Sequence, residues 1–290
     1  MRYGVCNWIF GDEDLATTAA FLAGAGFDGL ELKGDLQHYR PAEVSAILAD
    51  HGLAVLSLTP DDADGGHPVD LAHPDSEVRA QAMDYYLRLL DFAAALEAPI
   101  VSCHGAVGRV RALADQATEY DHLLTGVRCI AARAAGLGLC LAMEVLNRYE
   151  SHLLNTAARA VDFVAQVARQ AQVARQAQVG APNVGILLDA YHMNIEETDP
   201  ATAVLEAGER LFLFHAADSN RQAVGRGHTD FLALMRALQR IGYAGDVVIE
   251  CTAAGPDPFT PVKGPGWRDQ VRRYTAESLQ LLKAYASLSG

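Results

Sequence analysis

The chain reads as an α/β protein, and the closed (β/α)8 barrel is the member of that class it predicts. Three observations carry this reading. Short apolar runs alternate with helix-like segments almost to the end of the 290 residues. The alternation makes eight strand–helix units, and strands separated by helices imply a parallel sheet. Four of the runs close on a side chain able to bind a metal, which is out of place in a core but expected on the C-terminal face of a barrel.

The elements follow in order. Strands are predicted near 3–8, 27–32, 53–58, 99–104, 139–144, 184–189, 211–215 and 246–250. They are too short for helices and too continuously apolar for half-exposed strands, so they read as buried parallel ones. Helices are predicted near 13–25, 41–51, 75–96, 115–137, 156–179, 200–208, 229–241 and 267–287. Gly26, Gly52, Gly136, Gly138 and Gly242 mark helix ends, where glycine is favoured. Eight units with no linker make 1–290 one barrel domain. No GxGxxG follows the first strand, which removes the dinucleotide-binding signature. The segment Gln166–Ala171 recurs at Gln172–Ala177 and begins again at Gln178, in residues that favour helix. It lengthens the fifth helix, either as a duplication tolerated on a solvent-facing surface, the reading preferred, or as an extension that reaches a partner subunit.

Composition narrows the function. Half the residues are hydrophobic, enough for a large core. The 23 basic and 36 acidic residues give a net charge of −13, which disfavours nucleic acid and anionic membranes as partners. No apolar run is long enough to cross a bilayer, the N-terminus has no signal-peptide pattern, and five cysteines without a CxxC pair suit a reducing compartment. A cytoplasmic protein is expected.

The four metal-capable strand ends are Glu144, Asp189, His215 and Glu250. Three carboxylates and one imidazole suit Mn²⁺, Co²⁺ or Mg²⁺ better than a thiolate-preferring ion, and Mn²⁺ is the ion expected. Around them stand Glu144-Val-Leu-Asn-Arg-Tyr-Glu150, Asp189-Ala-Tyr-His-Met-Asn-Ile-Glu-Glu-Thr198 and His215-Ala-Ala-Asp-Ser-Asn-Arg221. These stretches resemble the D-tagatose/D-allulose/L-ribulose 3-epimerases, the ketose 3-epimerase group of the xylose-isomerase-like barrels. The resemblance is strong over roughly 140–250 and is one of fold alone before that.

The resemblance implies one divalent ion on Glu144, Asp189, His215 and Glu250, with Glu144 and Glu250 also the acid/base pair. It implies that Glu150, His192 and Arg221 contact the sugar around its first carbons. His104 and Trp8, both at strand ends, are further pocket candidates, and Asp218 is either near the metal or a turn residue. The loop 59–75, with His67, is a candidate lid or plain surface. The sequence departs from the group at Cys251–Pro256 and in its His104-Gly105 ending of the fourth strand, where distal hydroxyls of the substrate would be read. The implied activity is metal-dependent epimerisation of free ketoses at C3 through an enediolate, in a homo-oligomer, dimer or tetramer. An aldose–ketose isomerase of the hydroxypyruvate or inosose kind uses the same machinery. A DNA-repair barrel would need more histidines and a basic face, and a non-catalytic sugar binder would have lost one of the paired glutamates.

Overall fold

The computed structural model describes residues 1–61, 69–174, 183–255, 260 and 262–289. Eight parallel strands close into a barrel in chain order. They are β1 (Arg2–Cys6), β2 (Gly29–Lys33), β3 (Ala54–Thr59), β4 (Ile100–Cys103), β5 (Cys140–Glu144), β6 (Val184–Asp189), β7 (Leu211–Ala216) and β8 (Asp246–Ile249). The helices outside them are α1 (Leu15–Ala25), α2 (Pro41–Asp50), α3 (Ser76–Ala95), α4 (Gln116–Gly136), α5 (Ala157–Ala174), α6 (Ala190–Glu196), α7 (Pro200–Ala207), α8 (Phe231–Arg240) and α9 (Trp267–Ser289).

Closure comes from β1, which pairs with β2 on one side and β8 on the other. At the N-terminal end of that seam the Arg2 guanidinium donates from Nε and Nη2 to the two oxygens of Asp246, each at 2.8 Å. Such a bidentate fork fixes direction as well as distance. Gly29 is required where β2 meets β3, because a Cβ there would lie 2.2 Å from the Ala54 carbonyl oxygen. Six helices begin where an aspartate accepts a backbone N–H of its own first turn: Asp14, Asp75, Asp115, Asp189, Asp199 and Asp230. These side chains satisfy donors that the helix itself leaves unpaired.

Two expectations are corrected. The first strand ends at Cys6 rather than at residue 8, because Asn7–Phe10 turn into a 3-10 helix that swings Trp8 over the barrel mouth. A short helix absent from the sequence reading, α6, follows β6 directly; Asp189 is both the last strand residue and the cap of this helix. The hexad repeat is helical as far as Ala174, and the remainder lies outside the described residues, as does His67 with the middle of the loop 59–75. No helix among the described residues is long and apolar enough to cross a membrane.

Candidate active site

All four metal-capable residues are buried and meet at the C-terminal mouth of the barrel. Glu144 ends β5, Asp189 ends β6, His215 lies near the end of β7 and Glu250 follows β8. One ligand atom from each comes within 4.8 Å of all the others. The strand order explains this: four consecutive parallel strands bring their ends to one side of a closed ring, and each last inward-facing residue points to the axis. Three buried carboxylates so close together repel one another, and a divalent cation among them removes that cost. The donor set therefore fits an oxygen-preferring divalent ion. Cys6 Sγ, which could form a second group with His215 and Glu250, donates instead to Glu31 Oε1 at 3.1 Å.

The surrounding charges are ordered. Arg221 donates from Nη1 to Asp189 Oδ2 at 3.1 Å and pairs through Nη2 with Glu250 Oε2 at 2.9 Å. Its guanidinium stacks on Tyr191, 4.8 Å from the ring centroid, and lies 5.9 Å from that of Trp8. Arg221 adopts φ 60°, a left-handed conformation unusual for its type, inside the tight turn that joins the Arg221 N–H to the Asp218 carbonyl. Asp218 serves that turn and not the metal cluster: its carboxylate accepts from the backbone N–H groups of Ser219, Gly225 and Thr229. The Trp8 indole donates to Glu250 Oε1 at 3.0 Å.

Protonation follows from these contacts. Burial works to raise the Glu250 carboxyl, but Arg221 and His215 outweigh it and hold the group down to about 2. Burial likewise opposes ionisation of Glu144, and His104, whose Nε2 lies 2.8 Å from Glu144 Oε2, overcomes it and keeps that carboxyl well below its usual range. At Asp189 burial wins over His192 and Arg221, and the group is pushed up to about 6. His215 is raised well above its ordinary value: burial lowers it, but Glu31 and Glu250 prevail.

Two of the sequence-derived candidates for sugar contact, His192 and Glu150, gather on one flank, while Arg221 and Trp8 stand beside Glu250. His192, buried on α6, places Nε2 3.7 Å from both Glu144 Oε1 and Asp189 Oδ2. Asn147 joins it to Glu150, its amide lying 2.7 Å from His192 Nδ1 and donating to Glu150 Oε1 at 2.6 Å. The other charges of the two long motifs are structural. Arg148 grips Glu196 with two side-chain N–H groups, at 2.9 and 2.8 Å, and Glu197 accepts from the Ala157 N–H.

One carboxylate of the site was not singled out from the sequence. Glu31, fully buried on β2, accepts from Ser57 Oγ at 2.7 Å and lies 3.3 Å from His215 Nε2. With Glu250 3.3 Å from Nδ1, both ring nitrogens of His215 face carboxylates. The available signal was alternation in Gly29-Leu-Glu-Leu-Lys33, with the polar members facing inward.

Comparison with known proteins identifies the family. The family model of the xylose isomerase-like TIM barrel matches residues 19–285. A ketose 3-epimerase of Arthrobacter globiformis is 34% identical over 230 residues, 78% of this chain and 73% of that protein. A D-psicose 3-epimerase of Agrobacterium fabrum is 33% identical over 239 residues, 79% of this chain and 76% of that one. Among solved structures, D-psicose 3-epimerase with D-tagatose from Clostridium cellulolyticum H10 superimposes with a TM-score of 0.84 at 25% identity, over 99% of both chains. The chain belongs to the xylose isomerase-like TIM barrel family, and within it to the ketose 3-epimerase group. It is an enzyme of the isomerase class.

Proposed function

We propose that the protein epimerises free ketoses at C3 through an enediolate, with one divalent metal ion held by Glu144, Asp189, His215 and Glu250. The observation that carries this reading is the pairing of two buried carboxylates, Glu144 and Glu250, reaching one small space from β5 and β8, the two ends of a metal-fitting cluster. Such an ion supplies Lewis-acid stabilisation of the negative charge that develops on the substrate oxygens. Mn²⁺ suits the donors best, with Co²⁺ or Mg²⁺ as alternatives.

The chain's own groups move the protons. C3–H lies next to the ketone and is only weakly acidic, so removal needs a base held within hydrogen-bond reach. Glu144, ionised, takes the proton from one face; Glu250, loaded with a solvent proton once substrate is bound, delivers it to the other. Glu144 then releases its proton to solvent, and the roles are exchanged in the reverse direction. The His104 and His192 imidazoles orient Glu144; Arg221 and Trp8 orient Glu250. Glu150 and His192, coupled through Asn147, meet the hydroxyl and carbonyl oxygens of the first carbons. The buried Nε of Arg221, which has no partner among the described residues, donates to a substrate oxygen.

Incubation of the Mn²⁺- or Co²⁺-loaded protein with D-fructose, D-tagatose and L-ribulose, followed by chromatography and NMR of the products, tests the reading. The expected product of each is its C3 epimer. An aldose as the main product transfers the protein to the aldose–ketose isomerases, and no conversion of any ketose contradicts the proposal.

A further inference from the structure

A second polar cluster stands on the opposite flank of the mouth from Glu150 and His192, and the catalytic scheme leaves it unused. Strand pleating puts Lys33 on the same face of β2 as Glu31. Glu31 reaches His215 across the barrel, so Lys33 is on the inner wall, roughly 7 Å nearer the rim. Lys33 Nζ pairs with Asp61 Oδ1 at 2.9 Å; the Lys33 side chain is 22% exposed and that of Asp61 6%.

Both partners are pinned by their backbones. Asn7 Oδ1 accepts from the Lys33 N–H at 2.7 Å while its amide donates to Tyr39 Oη at 2.9 Å. The Tyr85 hydroxyl accepts from the Asp61 N–H at 2.7 Å and donates to the Gly34 carbonyl at 2.9 Å. The same glycine is required there, since a Cβ would come within 2.7 Å of that hydroxyl. A largely buried ion pair gains little net stability once desolvation is counted, so this degree of fixation is better explained by what the pair presents to the mouth.

The geometry points to Lys33 and Asp61 as the specificity-determining pair that reads the hydroxyls of the ketose remote from its carbonyl. This rests on the reading of the site as a ketose epimerase. Reaction at the Glu144–Glu250 cluster, with the first carbons toward Glu150, extends the rest of the sugar toward β1–β3. Lys33 offers N–H donors and Asp61 an acceptor, so one hydroxyl can bridge them without either charge being left unpaired. A phosphate at that end meets an ammonium already matched by Asp61. The substrate class is therefore the free ketose of five or six carbons rather than its phosphate ester.

A chain-length series tests the pair. Wild type, Lys33→Met and the double variant Lys33→Met/Asp61→Asn, which leaves no buried charge unmatched, are compared on L-erythrulose, L-ribulose, D-fructose and D-tagatose. Both variants are expected to lose about 10- to 100-fold in kcat/KM on the six-carbon ketoses and less than about 3-fold on erythrulose, which is too short to reach the pair. D-fructose 6-phosphate is expected to be at least about 10-fold poorer than D-fructose for wild type, with Asp61→Asn narrowing the gap. Equal losses at every chain length, no loss, or a preference for the phosphate ester overturns the assignment. If wild type epimerises no ketose, the functional reading fails by itself. The pair is then judged by calorimetric binding of erythrulose and D-fructose to the Mn²⁺-loaded proteins: loss confined to D-fructose upholds it, and no such selectivity overturns it.

Discussion

The two halves of the barrel contribute to the site in different ways. From β5 to β8 each strand end supplies one member of the metal-fitting cluster, inside motifs that also carry their own scaffolding, such as Arg148 on Glu196. From β1 to β3 come the groups that surround that cluster: Trp8 on Glu250, Glu31 with Ser57 behind His215, and the Lys33–Asp61 pair. One half holds the groups proposed to react, together with His192 and Arg221 beside them, and the other adds contacts to Glu250 and His215 and shapes the mouth. A single barrel thus draws its proposed reacting groups from one half and adds further support and selectivity from the other, as expected when function is grafted onto strand ends.

The largest expected effects fall in the β5–β8 half. Glu144→Gln and Glu250→Gln each remove a proton carrier and a ligand atom, and a loss of at least about 10³-fold in kcat is predicted for each, read from C3 epimer formation. A residual rate near wild type in either variant breaks the division between the halves. Removing the ion should stop turnover and lower the melting temperature. At 100 times Kd, binding contributes about 2.7 kcal/mol, which corresponds to a rise of about 4 °C in a chain of this length on adding Mn²⁺. Calorimetric scans with and without chelator measure it.

Protonation sharpens the same contrast in the metal-free protein. A carboxyl whose folded value is raised destabilises the fold when ionised. Asp189, pushed up to about 6, should therefore add stability as pH falls from about 6 toward 4. Glu250, held down to about 2, acts in the opposite sense: its contribution is complete above about 4.5 and is lost as pH falls toward 2. Each amounts to about 3 kcal/mol at most, and thermal melts across the two windows should show gain followed by loss.

In the supporting half, Glu31→Gln should weaken Mn²⁺ binding about 10- to 100-fold by freeing the His215 ring, as titration calorimetry would show. Unchanged affinity would mean that Glu31 does no more than fill the barrel. The smallest effect belongs to Trp8→Phe, which keeps an aromatic ring, though a smaller one, and removes the hydrogen bond to Glu250. A loss of about 3- to 10-fold in kcat with little change in KM is predicted from steady-state kinetics.

The same division explains what could be read in the sequence. Glu144, Asp189, His215 and Glu250 were legible because each ends an apolar run, where a polar group has no packing reason to be. Glu31 and Lys33 alternate with Leu30 and Leu32, a pattern that ordinarily describes a strand with one face in water. Here the apolar face packs under the helices while the polar face lines the barrel, an inversion visible only once the sheet is closed. Helix α6 escaped notice because it starts on the last residue of β6, without the loop that normally announces a helix. Asp61 is joined to Lys33 only through the folded chain, 28 residues apart, and spacing gives no hint of it.

The central claim is that two carboxylates work opposite faces of one carbon. Early turnover of the Mn²⁺-loaded wild type in D2O tests it most directly, with deuterium at C3 measured separately in product and in recovered substrate by NMR after the metal is removed. If Glu144 and Glu250 each serve one face, the product epimer carries solvent deuterium at C3 and the recovered substrate carries none. Product that keeps the original proton at C3 means that one group, or no enediolate, does the work, and contradicts the account.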